Sequence, residues 1–301
     1  MRLPSRRTAA AIASVLAVAA VVFWRLTEPD PLPASAIPAR TADIANGEVL
    51  YHAGSCFACH KAAKGAANPQ LPSGGTPFKT PIGVFYPQNL TPDPETGLGL
   101  WSEVAFVTAM ARGLAPDGRH YFPAFPYMAY RAMRMTDLLD LRAYVMSLPP
   151  VKAVHPPHTV PLLGLARRGV GLWKRIALAR PPFNPGSDGS DAWKRGAYLV
   201  NAPGHCGECH TPKSWLMIED LGRHLVGGPH PGGEGKVPSL RGLVTREKYE
   251  DASNLTLALQ NGEELGYEDL SSGGMAAIQE NLAKLPESDV RAIAEYLLSL
   301  K

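Results

Sequence analysis

The chain has 301 residues and a formal net charge of only +3, which argues against a nucleic-acid-binding protein. A hydrophobic share of 45% is enough to build buried cores, and the length suits two modest domains better than one large one. The sequence contains no dinucleotide-binding glycine motif, no phosphate-binding loop with its lysine and no G-x-S-x-G nucleophile motif. These absences argue against the commonest nucleotide-dependent and hydrolytic enzymes.

Residues 1–26 have the pattern of an export segment. Three arginines among the first seven residues precede an uncharged, mostly apolar run at residues 8–24. These 17 residues would form a helix of about 26 Å, close to the hydrocarbon thickness of a bilayer. The pattern favours an uncleaved membrane anchor, with cleavage at residues 34–36 as the alternative. Arginines before the span predict that residues 27–301 lie on the periplasmic side of the inner membrane.

Two copies of the pattern C-x-x-C-H stand at Cys56–His60 and Cys206–His210. This pattern is the attachment sequence of a c-type haem, because two thiols at this spacing form thioethers with the two vinyl groups. The histidine that follows is then placed to ligate the iron. All the cysteines of the chain belong to these two motifs. We therefore expect two covalently bound haem c groups, attached through Cys56, Cys59, Cys206 and Cys209, with His60 and His210 as iron ligands.

Other uses of paired cysteines remain open at this point. Four thiolates can hold one zinc ion, two pairs can form disulfides in an exported protein, and C-x-x-C also occurs in thioredoxin-like redox sites. None of these three uses needs a histidine directly after the second cysteine in both copies, so the pattern favours haem.

Residues 27–40 are rich in Pro and Ala and predict a tether. The first half, residues 41–150, then begins with a short helix that leads into the first C-x-x-C-H motif. Residues 69–94 carry many Pro and Gly and predict a loop. Further on, a helix capped by Ser102 is expected to run to Arg112, and a second one from Asp137 to Leu148.

Residues 151–190 predict a linker between the two halves. Its basic, amphipathic stretch from Pro161 to Arg180 suits either a membrane or partner surface, or a bridge packed between the halves. The second half, residues 191–301, repeats the first. Its helices are predicted at Trp193–Val200, Asn254–Gly262 and Pro286–Leu300.

The two halves keep the same spacing. Cys56 and Cys206 are 150 positions apart, and Tyr144 and Tyr296 in the final helices are 152 positions apart. Such an offset along most of the chain predicts two copies of one mainly helical module, in tandem after the N-terminal segment.

A haem that only transfers electrons needs a second axial ligand opposite the histidine, and methionine is common in cytochromes c. In the second half Met275 lies 65 residues after His210, ahead of the last helix. Met217 follows His210 by only seven residues, which is too few to reach the other face of the haem easily. We therefore predict Met275 as the ligand.

The same spacing in the first half ends on Phe125, which cannot bind iron. Met128, Met133 and Met135 follow shortly after it, and His120 would give a haem with two histidine ligands. Spacing alone does not choose among these four residues.

Several further segments belong together as a signature. They are Asn89–Gly97, Phe122–Tyr127, Arg195–Val200, His205–Pro212 and Gly273–Met275. With these segments the chain resembles the di-haem c-type cytochromes that serve as electron-transfer subunits of periplasmic, membrane-bound dehydrogenases, such as alcohol dehydrogenases. The resemblance covers nearly all of residues 41–301. It implies a mainly α protein with two class I cytochrome c domains in tandem.

The resemblance also bears on the ligand of the first haem. Family members with phenylalanine in the Pro-Ala-Phe-Pro-Tyr segment carry a methionine shortly before the last helix of that domain. On that pattern Met133 matches, 11 residues before Tyr144. The resemblance thus implies Met133 as the ligand, ahead of Met135 and Met128.

The implied function is transfer of single electrons from a periplasmic dehydrogenase or other redox donor to a quinone, an oxidase or another cytochrome. No catalytic residues are expected, and the membrane is contacted through the N-terminal segment. The alternative is a haem enzyme of peroxidase or sulfur-compound oxidase type. Phe125 at the repeat position motivates it, because the first haem would then have an open coordination site.

Overall fold

The structure is a computed structural model. It describes residues 5–80, 82–230, 235–245, 249, 251–261 and 274–301. The described part is mainly helical. Its helices are α1 Arg6–Leu26, α2 Ile44–Ala53, α3 Cys56–Cys59, α4 Glu103–Arg112, α5 Tyr127–Tyr130, α6 Met135–Ser147, α7 Leu163–Ala177, α8 Asp191–Asn201, α9 Gly207–His210, α10 Ala252–Asn261, α11 Gly274–Leu282 and α12 Glu287–Ser299. Two short antiparallel pairs join β1 Phe78–Thr80 to β2 Gly83–Phe85, and β3 Gly228–Pro229 to β4 Lys236–Val237.

In each half, the helix before the C-x-x-C-H motif crosses the last helix of that half at a glycine. A Cβ atom on Gly47 of α2 would overlap the carbonyl oxygen of Asp140 in α6. A Cβ atom on Gly196 of α8 would overlap the carbonyl oxygen of Ala292 in α12 in the same way. The two backbones of each pair therefore touch only because the glycine lacks a side chain.

The same two helix pairs carry aromatic contacts. Tyr51 and Tyr144 bring their ring centroids within 5.2 Å across α2 and α6. Trp193 and Tyr296 do so at 5.3 Å across α8 and α12. Tyr144 and Tyr296, which mark the repeat in the sequence, therefore take equivalent places in their halves.

The predicted helices are present with small shifts at their ends. Ser102 caps α4 as expected, since its Oγ accepts the amide hydrogen of Ala105 at 3.2 Å. Helix α6 begins at Met135, two residues before the predicted start. Gly262, the predicted end of the helix now seen as α10, lies outside the described residues.

The N-terminal helix α1 spans 21 residues with a mean hydropathy of 2.1, and none of its residues is buried. Its length and composition are sufficient for a membrane-spanning helix, and no other helix among the described residues meets both conditions. Such a helix near an N-terminus fits an anchor and a signal sequence equally well.

The tether at residues 27–40 contains no helix or strand apart from one short 3₁₀ turn at residues 34–36, and it is held against the first half. Arg112 pairs with Asp30 at 2.5 Å, and the amide of Leu32 donates to the Thr108 hydroxyl at 3.2 Å. The tether thus lies along the first half instead of hanging free.

The prediction of loop throughout residues 69–94 was wrong for one stretch. Strands β1 and β2 pair there, and the amide of Thr159 donates to the carbonyl of Val84 at 2.9 Å. Phe85 is buried and packs on Phe122 with ring centroids 5.3 Å apart. This side-chain burial, joined with pairing to a distant residue, stabilises extended structure where composition alone suggests a turn.

Helix α7, in the predicted linker, joins the two halves. Its buried Lys174 donates to the carbonyls of Arg112 and Gly113 at the end of α4, at 2.7 and 2.5 Å. From the same helix the indole of Trp173 donates to the carbonyl of Leu216 at 2.6 Å. The bridge that the amphipathic pattern allowed is therefore present.

Direct contacts also join the halves. The hydroxyl of Tyr198 in α8 donates to Asp137 in α6 at 2.5 Å, and the guanidinium of Arg134 lies 4.7 Å from the centre of the Tyr198 ring. Each half also contributes one residue to the apolar cluster of the other: Ala53 packs in the cluster of the second half, and Ala202 packs in that of the first.

A buried histidine fastens the end of the linker to the second half. His224 is stacked on Phe183 with centroids 3.7 Å apart, and its Nε2 lies 2.7 Å from the amide oxygen of Asn201. Its Nδ1 lies 3.3 Å from the Thr211 hydroxyl. Burial, with a smaller effect of nearby Arg241, lowers the pKa of His224 to about 4.

We expect Gly196→Ala to destabilise the protein by about 1–3 kcal/mol, since the new methyl group must push α8 and α12 apart. Thermal unfolding followed by circular dichroism measures the change. Gly164→Ala in α7 is the matched control, because a Cβ atom there meets nothing within 4 Å. Alanine at that control position should stabilise the helix by about 1 kcal/mol. Equal stability of the Gly196 variant and the wild type would contradict the backbone contact.

The second prediction concerns acid stability. As the pH falls from 6.5 towards 4, an unfolded histidine binds a proton while the buried His224 does not, so folding stability should be lost across this range. Replacing His224 by glutamine should flatten that dependence, as measured by denaturant unfolding at several pH values. An unchanged slope in the His224→Gln variant would show that other groups cause the acid sensitivity.

Candidate haem-binding sites

The first C-x-x-C-H motif is set off by a left-handed residue. Ser55, with φ 45°, turns the chain sharply after α2, so that Cys56 and Cys59 occupy the two ends of the single-turn helix α3. His60 follows, and its Nδ1 lies 2.7 Å from the carbonyl oxygen of Gln88. The three chemically important side chains therefore project from one compact turn.

The second motif repeats this arrangement. His205, with φ 40°, takes the left-handed place, and Cys206 directly precedes the short helix α9. The Nδ1 of His210 lies 2.8 Å from the carbonyl oxygen of Pro238. In both motifs the carbonyl belongs to the residue 28 positions after the histidine. The sequence analysis missed these two partners, although the repeat spacing pairs them.

The carbonyl contacts fix which nitrogen of each histidine is available. When Nδ1–H donates to a backbone carbonyl, the neutral imidazole keeps its lone pair on Nε2, which is the form that ligates a metal. Burial lowers the pKa of His60 and His210, although the carbonyl hydrogen bonds partly oppose it. The net shift favours a neutral ring, and the hydrogen bond leaves Nε2 free.

The cysteines fit covalent haem better than zinc or disulfides. No disulfide joins any two of the four cysteines, so each remains available for a thioether. Within the described part of the chain, no three His, Cys, Asp or Glu side chains come together in a group suited to a metal ion. Two thiols and one neutral imidazole in a turn, twice over, match the donor set of a c-type haem.

An apolar cluster surrounds the first motif. Cys56 and Phe57 pack against a set of buried side chains from α2, α4 and α6, the segments between them, and one residue that follows α8. The set is Leu50, Tyr51, Leu98, Phe106, Val107, Met110, Tyr130, Met133, Leu138, Leu139, Leu141, Val145 and Ala202. Such a surrounding would keep water away from a group attached at Cys56.

The candidate ligands for the first haem separate in space. Met133, 7% exposed, lies in the cluster that contains Cys56, and the half-buried Met135 packs against it. Met128 instead lines a small cavity with Met217 and Glu219 of the second half.

Two other residues change the set of candidate ligands for the first haem: His120 leaves the set and Met110 joins it. His120 donates from Nε2 to the carbonyl of Thr27 at 3.0 Å, which places it at the end of α1. Met110 of α4 lies in the Cys56 cluster, and the sequence analysis did not consider it. No sequence signal marks it, because a methionine inside an amphipathic helix is ordinarily a core residue.

In the second half, Cys206 packs against the apolar cluster formed mainly by α8, α10 and α12. Met275 is the second residue of α11 and is half-buried. Residues 262–273, which include the Ser-Ser-Gly segment before it, lie outside the described residues. Helix α11 contacts both α2 and α3, so the element that carries Met275 also touches the first motif.

The two motifs lie next to each other. His205 lies with its Nε2 3.2 Å from the carbonyl oxygen of Gly54, and its ring meets the edge of Tyr130 at 5.6 Å. Burial raises the pKa of the Cys209 thiol, and the nearby Cys59 contributes to the same shift. This proximity could not be read from the sequence, because nothing in the repeat spacing says how the halves face each other.

Three other histidines make structural contacts. His155 donates from Nε2 to the carbonyl of Ser73 at 2.6 Å. The His158 ring packs edge-on against Phe85 at 5.1 Å. His52 contacts Asn281 at 3.3 Å across the two halves.

Comparison with known proteins agrees with this geometry. The sequence model of the cytochrome c family matches residues 44–149. A protein of Cereibacter sphaeroides called diheme cytochrome c-type is 35% identical over 294 residues, which is 97% of either chain. A nicotinate dehydrogenase component of Pseudomonas putida is 36% identical over 94% of this chain. The cytochrome subunit of fructose dehydrogenase from Gluconobacter japonicus is 32% identical over 97% of it.

The match to the last two relatives is partial on their side. The chain spans 23% of the Pseudomonas putida protein and 59% of the Gluconobacter japonicus protein. The Cereibacter sphaeroides protein, in contrast, is matched along almost its whole length. On this full-length similarity, the chain belongs to the cytochrome c family, whose members carry covalently bound haem c.

Proposed function

We propose that the chain is a membrane-anchored di-haem cytochrome c that passes single electrons from a periplasmic dehydrogenase towards the respiratory chain. The observation that carries this proposal is the duplicated motif geometry. Each C-x-x-C-H histidine has its Nδ1 held by a carbonyl 28 residues later, which leaves Nε2 free for an iron atom.

Haem c supplies a one-electron couple between ferric and ferrous iron. The residues of this chain would hold and shield it. Cys56 and Cys59 would form the thioethers of the first haem, and Cys206 and Cys209 those of the second. His60 and His210 would be the proximal ligands, kept neutral by burial and oriented by the carbonyl partners of their Nδ1 atoms.

For the first haem, burial supports Met133 as the second axial ligand. Its side chain is nearly inaccessible to water and shares the cluster of Cys56, whereas Met128 faces the second half. Met110 has the same 7% exposure and lies in the same cluster, and Met135 packs on that cluster, so these two residues are the rivals. Met133 is preferred to them because the resemblance to the family implies it. For the second haem we propose Met275, at the start of α11.

A methionine on the first iron would close its coordination sphere. The alternative of an open first haem, which the Phe125 position suggested, gains no support, since the buried Met133 shares the Cys56 cluster with Phe125.

The chain would then comprise two class I cytochrome c domains, at residues 41–150 and 191–301, joined by the linker at residues 151–190. The matching glycine crossings of α2 with α6 and of α8 with α12 support this division. So do the matching aromatic contacts on the two final helices.

The short path between the motifs supports electron exchange within the chain. The contact from His205 to Gly54 joins residues that lie one and two positions before the two attachment motifs. Two haems held there would be close neighbours, so an electron entering at one would reach the other without a second protein.

The proposed donor class comes from the relatives. The proteins of Pseudomonas putida and Gluconobacter japonicus are named as subunits of nicotinate and fructose dehydrogenases. We propose a periplasmic dehydrogenase as the donor of this chain, with a quinone, an oxidase or another cytochrome as acceptor. Helix α1, with arginines at its start and no buried residue, would hold the protein at the periplasmic face of the inner membrane.

The third prediction tests the proposed function. Tagged protein, gently extracted from its own membranes, should carry a dehydrogenase subunit whose substrate reduces both haems. A redox titration should show two one-electron transitions between low-spin states. Exchange of Cys56 and Cys59 for alanine should remove one transition, and exchange of Cys206 and Cys209 should remove the other. A high-spin haem that readily binds cyanide would contradict electron transfer as the sole function.

The fourth prediction concerns the first iron. Met133→Leu should abolish one of the two charge-transfer bands between methionine sulfur and ferric iron, and should lower the potential of that haem, since methionine ligation raises it. Met135→Leu is the matched control and should keep both bands. If the Met135 variant loses a band and the Met133 variant does not, Met135 is the ligand.

A further inference from the structure

Helix α7 presents an apolar stripe to the outside. Leu165, Leu172 and Ile176 recur at the spacing of one helical face and are 62%, 40% and 52% exposed, and Leu162 just before the helix is 79% exposed. Four large aliphatic side chains in one row are more than the scattered exposed leucines of an ordinary surface.

The fold does not need this stripe. A different face of α7 already supplies the contacts that hold the helix, through the buried Val170, Gly171, Lys174 and Ala177. Helix α7 is therefore apolar on two faces, and one of them has no partner within the described part of the chain.

The uncovered face lies beside the end of α1. The guanidinium of Arg168 stands 4.1 Å from the centre of the Trp24 ring and donates to the Trp24 carbonyl at 2.8 Å. Arg175 donates to the carbonyl of Leu26 at 3.0 Å. These contacts fix α7 at the point where an anchoring α1 would leave the bilayer.

The exposed charges around this point are mainly positive. Arg25 at the end of α1 pairs with Glu28 at 3.1 Å but keeps 75% of its side chain exposed, and Arg175 and Arg180 are exposed as well. Helices that lie in the interface of anionic membranes typically carry exposed arginines beside a row of apolar side chains.

We infer that α7 lies on the membrane surface, with Leu162, Leu165, Leu172 and Ile176 inserted among the lipids and the arginines at the level of anionic phosphates. This inference rests on the proposed anchoring by α1. The partner is the bilayer itself, because the stripe continues from the end of the helix that would span it. Since Trp173 and Lys174 of the same helix contact the two halves, α7 would set their orientation to the membrane.

The test uses the full chain with both haems attached, in liposomes that contain phosphatidylglycerol. Because the native cysteines are consumed as thioethers, a cysteine introduced by Leu172→Cys or Ile176→Cys is the only thiol that a nitroxide label can modify. Leu257→Cys on α10, 54% exposed, is the matched aqueous control, and Val15→Cys in α1 reports on the anchor. Relaxation by oxygen and by a water-soluble nickel chelate measures the depth of each label.

Labels at residues 172 and 176 are expected to favour oxygen and to lose contact with the chelate, whereas the label at residue 257 stays open to the chelate. If residue 15 is protected but residues 172 and 176 respond like residue 257, the anchor stands and the inference fails. If residue 15 also responds to the chelate, the proposed anchor is overturned together with the inference. Labels at residues 172 and 176 shielded from both reagents would assign the stripe to a protein partner instead.

Discussion

Contact between bare helix backbones holds both halves of the molecule in shape. The glycines at positions 47 and 196 let the first helix of each half press on the carbonyls of its last helix. Because α2 leads into α3 and α8 into α9, these crossings also fix where the two C-x-x-C-H turns emerge. The carbonyl partners of His60 and His210 then set which ring nitrogen would remain for an iron atom. The close contact at these two glycines thus determines where the motifs lie, and with them which carbonyls the two histidines can reach.

The sequence predicted the parts of this arrangement that local pattern determines. Duplicate C-x-x-C-H spacing predicted the two turns that carry the paired cysteines. The offset between Tyr144 and Tyr296 predicted two helix pairs that make matching aromatic contacts. The helices followed from apolar periodicity and from caps such as Ser102. Each of these signals lies within a short stretch of chain, where spacing alone restricts the geometry.

What escaped prediction depends on residues far apart in the chain. Strand β2 is hydrogen-bonded to the distant Thr159. Met110 shares a cluster with Cys56 only because of how α4 packs. His205 contacts Gly54 only because the two halves pack against each other. The tether at residues 27–40 looked free because its composition has no period, yet Leu32 and Ile37 pack on the first half. Tertiary partners decided these points, and no local pattern encodes them.

The exchange of Ala53 and Ala202 between the two apolar clusters has a consequence for how the molecule unfolds and tolerates substitution. Each half contributes one alanine to the apolar cluster of the other, so we expect the packing of both clusters to suffer if the halves are separated. Unfolding should therefore be cooperative across both halves, with neither half left folded alone. A substitution that enlarges either alanine would therefore disturb the core of the opposite half as well as its own surroundings.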